Sequence, residues 1–296
     1  MATFNAPAPN DGELAASILR SAGEAARTIR AGGLVKLRAG SQVKSGASDF
    51  ATAADFAAES HIFTALRAAR PHDSIVGEEG AAHLGTSGRC WVIDPVDGTF
   101  NFASGSTYWC VAIALVRAPE LVAGVGPAPG SAAVPEGATP DVPAGVEVLL
   151  GAVYQPEEDK LWLGGTEHAA TLNGQTIRVA GQDQLGQLSA GTYLHPTWLG
   201  RPAAAVPWQQ AAQLPATLRM MGSGSCDLAR VAQGELGAWF QHSCPSWDWL
   251  PGKGLVVAAG GDTAVERVNG LDWFVAGPHA AVAQLTAALR AGELAP

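Results

Sequence analysis

Asp94 and Asp97 stand three residues apart, at the end of the apolar run Trp91, Val92 and Ile93 and directly before Gly98 and Thr99. The run reads as a short buried strand. Pro95 between the acids removes one backbone donor and fixes φ, so the strand cannot simply continue. Gly98 then permits a sharp turn and lets a backbone N–H come close to a ligand. Paired carboxylates beside such a turn suit a hard divalent cation. A small set of oxygen ligands favours Mg²⁺, which keeps water and substrate oxygens in its other positions. A solvated Asx turn would use the same residues, so these acids alone do not decide the matter.

Two more acidic nodes lie far away in sequence: Glu78 with Glu79 between Gly77 and Gly80, and Asp248 between Trp247 and Trp249. Each follows a strand-like run or opens a helix, where side chains converge on one edge of a sheet. The Gly77 to Gly80 turn also reads as a solvated acidic turn. Asp248, shielded by two indoles, is costly unless paired or metal-bound, and it equally suits an N-cap for a helix from Leu250. Gly98 and Thr99 form a candidate anion cradle, because N–H groups at a helix start bind phosphate without a basic side chain. Gly222, Ser223, Gly224 and Ser225 read either as a second cradle or as a capped helix start. Asp55, three residues after Thr52, is either a first-turn acid facing the helix dipole or a base acting on a Thr hydroxyl. No Ser-His-Asp or Cys-His arrangement and no G-x-G-x-x-G after a strand is present.

The elements that must position these groups follow from patterning. Apolar spacing predicts a helix from Gly12 to about Arg38 with Asp11 as N-cap, a loop at 44–50, and a helix from Thr52 or Ala53 that ends before Pro71. Strands are expected at 74–76, 91–93, 111–116, 147–154, 160–163, 218–221, 238–240 and around Val275. Asn173-Gly174 signals a hairpin turn. Further helices are expected at 225–233, 250–259 and 278–291. Residues 118–146, dominated by Pro, Gly and Ala, read as a surface insertion or long loop. Alternating strands and helices in the last third indicate an α/β fold class.

The chain has 296 residues, 47% hydrophobic and 15% charged, with net charge −9. That composition gives a packed globule, and the absence of any basic cluster argues against nucleic-acid or anionic-membrane binding. No 18-residue apolar run or signal-like segment is present. The four cysteines lack a C-x-x-C pair, which suits reduced, buried thiols. The expectation is a cytoplasmic protein.

Taken together, the nodes resemble the inositol monophosphatase family of Mg²⁺-dependent, lithium-sensitive sugar phosphatases, from about Lys44 to Gly261. The family's Trp-x-Ile-Asp-Pro-x-Asp-Gly-Thr-x-Asn-Phe is matched over 91–102, and its Gly-Glu-Glu by Gly77, Glu78 and Glu79. Its Trp-Asp with a later Gly-Gly is matched by Trp247, Asp248, Gly260 and Gly261. Asp49, Thr52 and Asp55 match its Asp-x-x-Thr-x-x-Asp. The resemblance implies a layered αβαβα sandwich of the inositol monophosphatase and fructose-1,6-bisphosphatase type, mixed α/β. It implies a first Mg²⁺ at Glu78, Asp94 and the Val96 carbonyl, a second at Asp94, Asp97 and Asp248, and a weaker third at Glu78. It makes Glu78, Thr99 and Asp55 catalytic, with Thr99 and Asp55 orienting and deprotonating the attacking water. Asp97, Gly98, Thr99, Lys44, Gly222, Ser223, Gly224 and Gln241 would meet the substrate, with Lys44 meeting either the substrate or an acid. A homodimer is also implied.

The expected organisation is an α+β region at 1–187 carrying most metal ligands, and an α/β region at 188–296 carrying Asp248 and the specificity positions. Three departures bear on substrate. Phe100 stands where Thr is common, Thr107 where proline is common, and Gln241 where inositol-specific members carry Glu. The expected reaction is hydrolysis of myo-inositol 1-phosphate or a related small polyol or sugar phosphate. Histidinol phosphate, fructose 1,6-bisphosphate and a 3′-phosphoadenosine nucleotide are the alternatives. A non-catalytic regulatory role would predict loss of the metal acids, and all are present.

Overall fold

The helical pattern of the first forty residues breaks into two helices. The computed structural model describes residues 9–46, 49–117, 146–182 and 184–295. In it α1 (Asp11–Ala31) and α2 (Leu34–Ala39) part at Gly32 and Gly33, the latter with φ +112°. The N-cap of α1 is Asn10, not Asp11. Its side chain accepts from the Glu13 N–H at 2.9 Å while the Glu13 carboxylate takes the Asn10 N–H at 3.1 Å, a capping box. That leaves Asp11 free to bind Arg70 and Arg89. The expected loop at 44–50 is instead part of a hairpin, β1 (Gln42–Gly46) against β2 (Asp49–Ala51). Then α3 (Ala53–Ala69) opens on a second capping box built from Thr52 and Asp55.

Eight strands follow: β3 (Ser74–Gly77), β4 (Ala82–His83), β5 (Arg89–Asp97), β6 (Cys110–Arg117), β7 (Glu147–Gln155), β8 (Lys160–Gly165), β9 (His168–Leu172) and β10 (Gln175–Thr176). They form one sheet in the order β10-β9-β8-β7-β6-β5-β3-β4. Among the described strands of this sheet, only β3 and β5 pair in parallel. The short helix α4 (Thr99–Ser104) leaves the end of β5. Asn173 and Gly174, with φ +47° and +80°, make the expected turn between β9 and β10. Of the expected insertion at 118–146, all but Val146 lies outside the described residues, and Val146 is buried.

A second sheet runs β12-β11-β13-β15-β14, from β11 (Ser189–Tyr193), β12 (Thr217–Arg219), β13 (Ala238–His242), β14 (Asp262–Val268) and β15 (Leu271–Gly277). Its helices are α5 (Pro202–Ala212), α6 (Gly224–Ala232), α7 (Ser246–Ala258) and α8 (His279–Ala291). The strand expected at 218–221 stops at Arg219, because the Asn101 side-chain amide takes the Met221 and Gly222 carbonyls and Gly222 turns at φ +83°.

Apolar faces dictate the stacking. One core joins α1 and α3 to the first sheet through Leu19, Ile62, Trp91 and Ile113. A second fills the space between the two sheets, where α6 and α7 contribute Leu228, Trp249 and Leu255 against Trp162 and Trp239. A third lies between the second sheet and α5 with α8. The layers are therefore α, β, α, β, α, as the sandwich expectation required. Trp249 stacks on Trp239 at 5.9 Å and meets Phe274 edge-on at 5.2 Å, pairs worth about 1 kcal/mol each beyond area burial. Because α6 and α7 pack on both sheets, one apolar core runs across residue 187. Among the described residues no helix is long and apolar enough to cross a membrane. All four cysteines are buried and unbridged.

Candidate active site

The end of β5 is where the acids converge, and a bulge makes that possible. Side chains alternate along a strand, so residues three apart would face opposite ways. Between Asp94, opposite Ala112, and Asp97, opposite Cys110, β5 carries one residue more than β6. The extra residue, at donor-less Pro95 and Val96, re-aims Asp97. Both acids then line one cavity of about 540 Å³, with Glu78, Val96, Gly98, Thr99, Gly224 and Asp248.

Each acid arrives from a different element. Glu78 follows β3 in a turn held from below by Glu59, whose carboxylate accepts the Glu79 and Ala81 N–H groups, both at 2.8 Å. A Cβ at Gly77 would lie 2.2 Å from Glu59 Oε2 and would push that carboxylate away from the turn. Asp248 is not a cap. It sits inside the first turn of α7, whose N-cap is Pro245, and there the helix dipole favours its negative charge. Ser223 caps α6 by accepting the Cys226 N–H, the capped-start reading of that turn, and it also lines the cavity with Gly222 and Gly224. Gly98 has φ +88°, and a Cβ on it would lie 3.1 Å from the Gly222 carbonyl oxygen. The two loops close on each other at that point.

The electrostatics are those of crowded acids in a dry place. Burial, then the charges of Glu78, Asp97 and Asp248, push the Asp94 carboxyl well above its ordinary value. Asp94 Oδ1 is buried without a hydrogen-bond partner. Burial raises Asp97 to about 6, although the Ser225 N–H donates to its Oδ2. Asp248 is likewise raised by burial, then by Asp97 and Glu78. An orphaned carboxylate oxygen amid mutually repelling acids is what a divalent cation would satisfy. Among the described residues no three His, Cys, Asp or Glu side chains already converge closely enough to grip an ion. Water and substrate oxygens would have to complete the shell, as Mg²⁺ prefers.

Beside the acids, the Thr99 hydroxyl lies 3.0 Å from the Val96 carbonyl and 3.1 Å from Asp55 Oδ1. Asp55 is fully buried and also accepts the Thr52 hydroxyl at 2.6 Å and the Thr52 N–H at 2.8 Å. Burial raises it to about 6. Capping α3 and holding Thr99 are thus one arrangement. Lys44 does not line the cavity. Its ammonium binds Glu78 at 2.8 Å and Glu79 at 2.7 Å, so of the two partners expected for it the structure shows the acid. Gln241 lines the cavity beside Tyr193, its register partner on β11.

Sequence reasoning missed several lining groups: Phe50, Asn101, Tyr193, His195, Met220, Met221 and Asp227. Asp227 is buried in the first turn of α6, takes the Tyr108 hydroxyl at 2.5 Å, and is raised to about 7 by burial. A first-turn acid after a Ser cap was the available signal.

The model of the inositol monophosphatase family matches residues 13–134 and 145–294. The chain is similar to an inositol-1-monophosphatase of Rhizobium meliloti, 30% identical over 218 residues that cover 73% of this chain and 72% of that protein. It is also similar to a Nus factor SuhB of Xylella fastidiosa, 32% identical over 214 residues, covering 72% and 68%. Among solved structures, the extragenic suppressor protein suhB of Bartonella henselae superposes with TM-score 0.75 at 23% identity, covering 94% of this chain and 97% of that one.

Proposed function

This chain belongs to the inositol monophosphatase family, and from that premise we propose that it is a Mg²⁺-dependent phosphatase of small phosphate monoesters. The observation that carries the reading is the buried, unpartnered Asp94 Oδ1 in a cavity shared with Glu78, Asp97 and Asp248. Glu78, Asp94 and the Val96 carbonyl would hold one Mg²⁺, Asp94, Asp97 and Asp248 a second, and Glu78 a weaker third. Bound Mg²⁺ would make a water more acidic and offset charge on the attacking and leaving oxygens.

The chain's own groups then supply position and proton transfer. Thr99 orients the attacking water and takes its proton while passing its own to Asp55, whose carboxylate lies 3.1 Å away. Gly98 and Thr99 offer backbone N–H groups to the phosphate, and the Ser223 turn closes the far wall. Gln241, being uncharged, would contact the alcohol portion by hydrogen bonds alone. Most of the barrier lowering comes from positioning and charge stabilisation, and no covalent intermediate is needed. The relatives' name makes myo-inositol 1-phosphate the first ester to try.

A second reading comes from the relatives named Nus factor SuhB, a role beside or instead of catalysis. The complete acid set favours catalysis. Phosphate release from a panel of monoesters, with Mg²⁺, with Mg²⁺ plus Li⁺, and with excess chelator, tests the reading. Turnover that needs Mg²⁺, falls with Li⁺ and nearly vanishes in Asp94→Asn is expected. Equal rates in chelator would end it.

A further inference from the structure

The cavity is acidic at its base and apolar at its rim. Phe50, Phe100, Met220 and Met221 all line it, and the last three are 54%, 49% and 41% exposed. The Phe50 and Phe100 rings lie 6.2 Å apart at 59°. The methionines are held to the same rim, because Asn101, next to Phe100, donates its amide to the Met221 carbonyl at 2.7 Å. Large apolar side chains scattered on a surface mean nothing, but gathered at the mouth of a cavity they mark where a ligand covers them. Methionine adds a flexible, polarizable surface that settles against aromatic faces.

Away from Gln241, Tyr193 and His195, a polyhydroxylated ring would fit this rim poorly. Each hydroxyl pressed against Phe or Met without a partner costs the lost hydrogen bond to water. The charge pattern narrows the choice further. Asp49, Glu78, Asp94, Asp97, Asp227 and Asp248 line the cavity, and no Lys or Arg does among the described residues. With Mg²⁺ offsetting Glu78, Asp94, Asp97 and Asp248, a second phosphate on the alcohol would still meet Asp49 and Asp227 and no Lys or Arg of the lining.

We propose that this cavity takes phosphate monoesters whose alcohol carries a flat aromatic ring and no second phosphate, the ring seated against Phe50, Phe100, Met220 and Met221. The proposal rests on the phosphatase reading above and names the substrate class of that site.

The test is phosphate release by the full chain in Mg²⁺ from 4-(hydroxymethyl)benzyl phosphate, its bisphosphate, glycerol 2-phosphate and myo-inositol 1-phosphate. The benzyl alkoxide is no better a leaving group than the others, so a difference reports the alcohol's seat. The expected kcat/KM for the benzyl monoester is about tenfold or more above both polyol esters, from burial of one ring face. The bisphosphate should fall below the monoester by about as much. Phe100→Ser and Met221→Ser should each bring the ratio of benzyl to glycerol esters towards one, at unchanged elution on size exclusion. Equal kcat/KM for benzyl and polyol esters overturns the inference. So does a ratio that neither substitution moves, or a change of oligomeric state in Phe100→Ser in place of a change in ratio. Turnover of the polyol esters without ring preference sinks this inference alone, whereas no turnover of any ester sinks the phosphatase reading with it.

Discussion

Replacing Asp97 by Asn should stabilise the metal-free protein while weakening its response to Mg²⁺. Asp97 is 7% exposed, and burial raises its carboxyl from 3.8 to about 6 against the pull of hydrogen bonds from Ser225 and Ser223. The folded protein therefore holds this proton to a higher pH than the unfolded chain does. Stability is retained below about pH 4, falls as pH climbs from about 4 to about 6, and is level beyond, the total loss being about 3 kcal/mol. Asn carries no charge to bury, and its carbonyl can still accept the Ser225 N–H. In EDTA the variant should exceed the parent by about 1–3 kcal/mol at pH 7.5 and match it near pH 4. With Mg²⁺ at a hundred times its Kd the parent should gain about 2.7 kcal/mol and the variant much less. Urea unfolding followed by tryptophan fluorescence reads each of these conditions, with nine Trp as reporters. A metal-free variant less stable than the parent at pH 7.5 would refute the reasoning, because it would mean that the ionised Asp97 is welcome in its site without a cation.

Three other outcomes follow from the geometry. Gly98→Ala forces φ +88° on a residue with a Cβ and drives that Cβ to 3.1 Å from the Gly222 carbonyl. It should cost about 1–3 kcal/mol in urea unfolding and lower kcat by loosening Thr99. Asp55→Asn, Thr99→Val and the double variant should each lose about 10²–10⁴ in kcat, the double no more than the singles, as groups acting as a unit do. Since Asp55 must be ionised to accept a proton and is raised to about 6 by burial, kcat/KM should rise as pH passes through about 6, which a pH–rate profile reads. Asp73→Ala removes the acceptor of the buried Trp91 indole at 3.0 Å and of Arg89 at 2.7 Å. It should cost about 2–4 kcal/mol in unfolding while leaving Mg²⁺ affinity, measured by titration, unchanged.

Glu78, Asp94, Asp97 and Asp248, carboxylates that line the cavity, were legible because local chemistry marks them. Asp-Pro-x-Asp-Gly after an apolar run announces a strand that must stop and turn, and the bulge at Pro95 and Val96 is the form that stop takes. Asn173-Gly174 was legible for the same reason, since its left-handed angles suit few other pairs. Elements whose sequence contradicts their conformation were not. The helix α5 carries Pro202 and Pro207, which read as breakers, and β11 is the short run Ser-Ala-Gly-Thr-Tyr with no alternation to see. The strands at 42–46 and 49–51 looked like a loop because residues 44–50 are rich in Ser, Gly and Asp and the two strands pair only with each other. Long-range partners left no local trace. Nothing near Asn101 says that its amide will fasten Met221, 120 residues away, and nothing near Lys44 says that Glu78 and Glu79 will hold it. The apolar rim of the cavity is therefore a property of the fold, while its acidic base is a property of the motifs.

Glu78, Asp94, Asp97 and Asp248 are proposed to share divalent cations. Crystals of the protein grown with Mn²⁺ and inorganic phosphate, measured at the manganese absorption edge, locate those ions without reference to activity. Anomalous peaks about 2.1 Å from Asp94 and from Asp97 or Asp248, with the phosphate beside Gly98 and Thr99, are the predicted result. Fully bound manganese elsewhere, with these four carboxylates untouched, would contradict it.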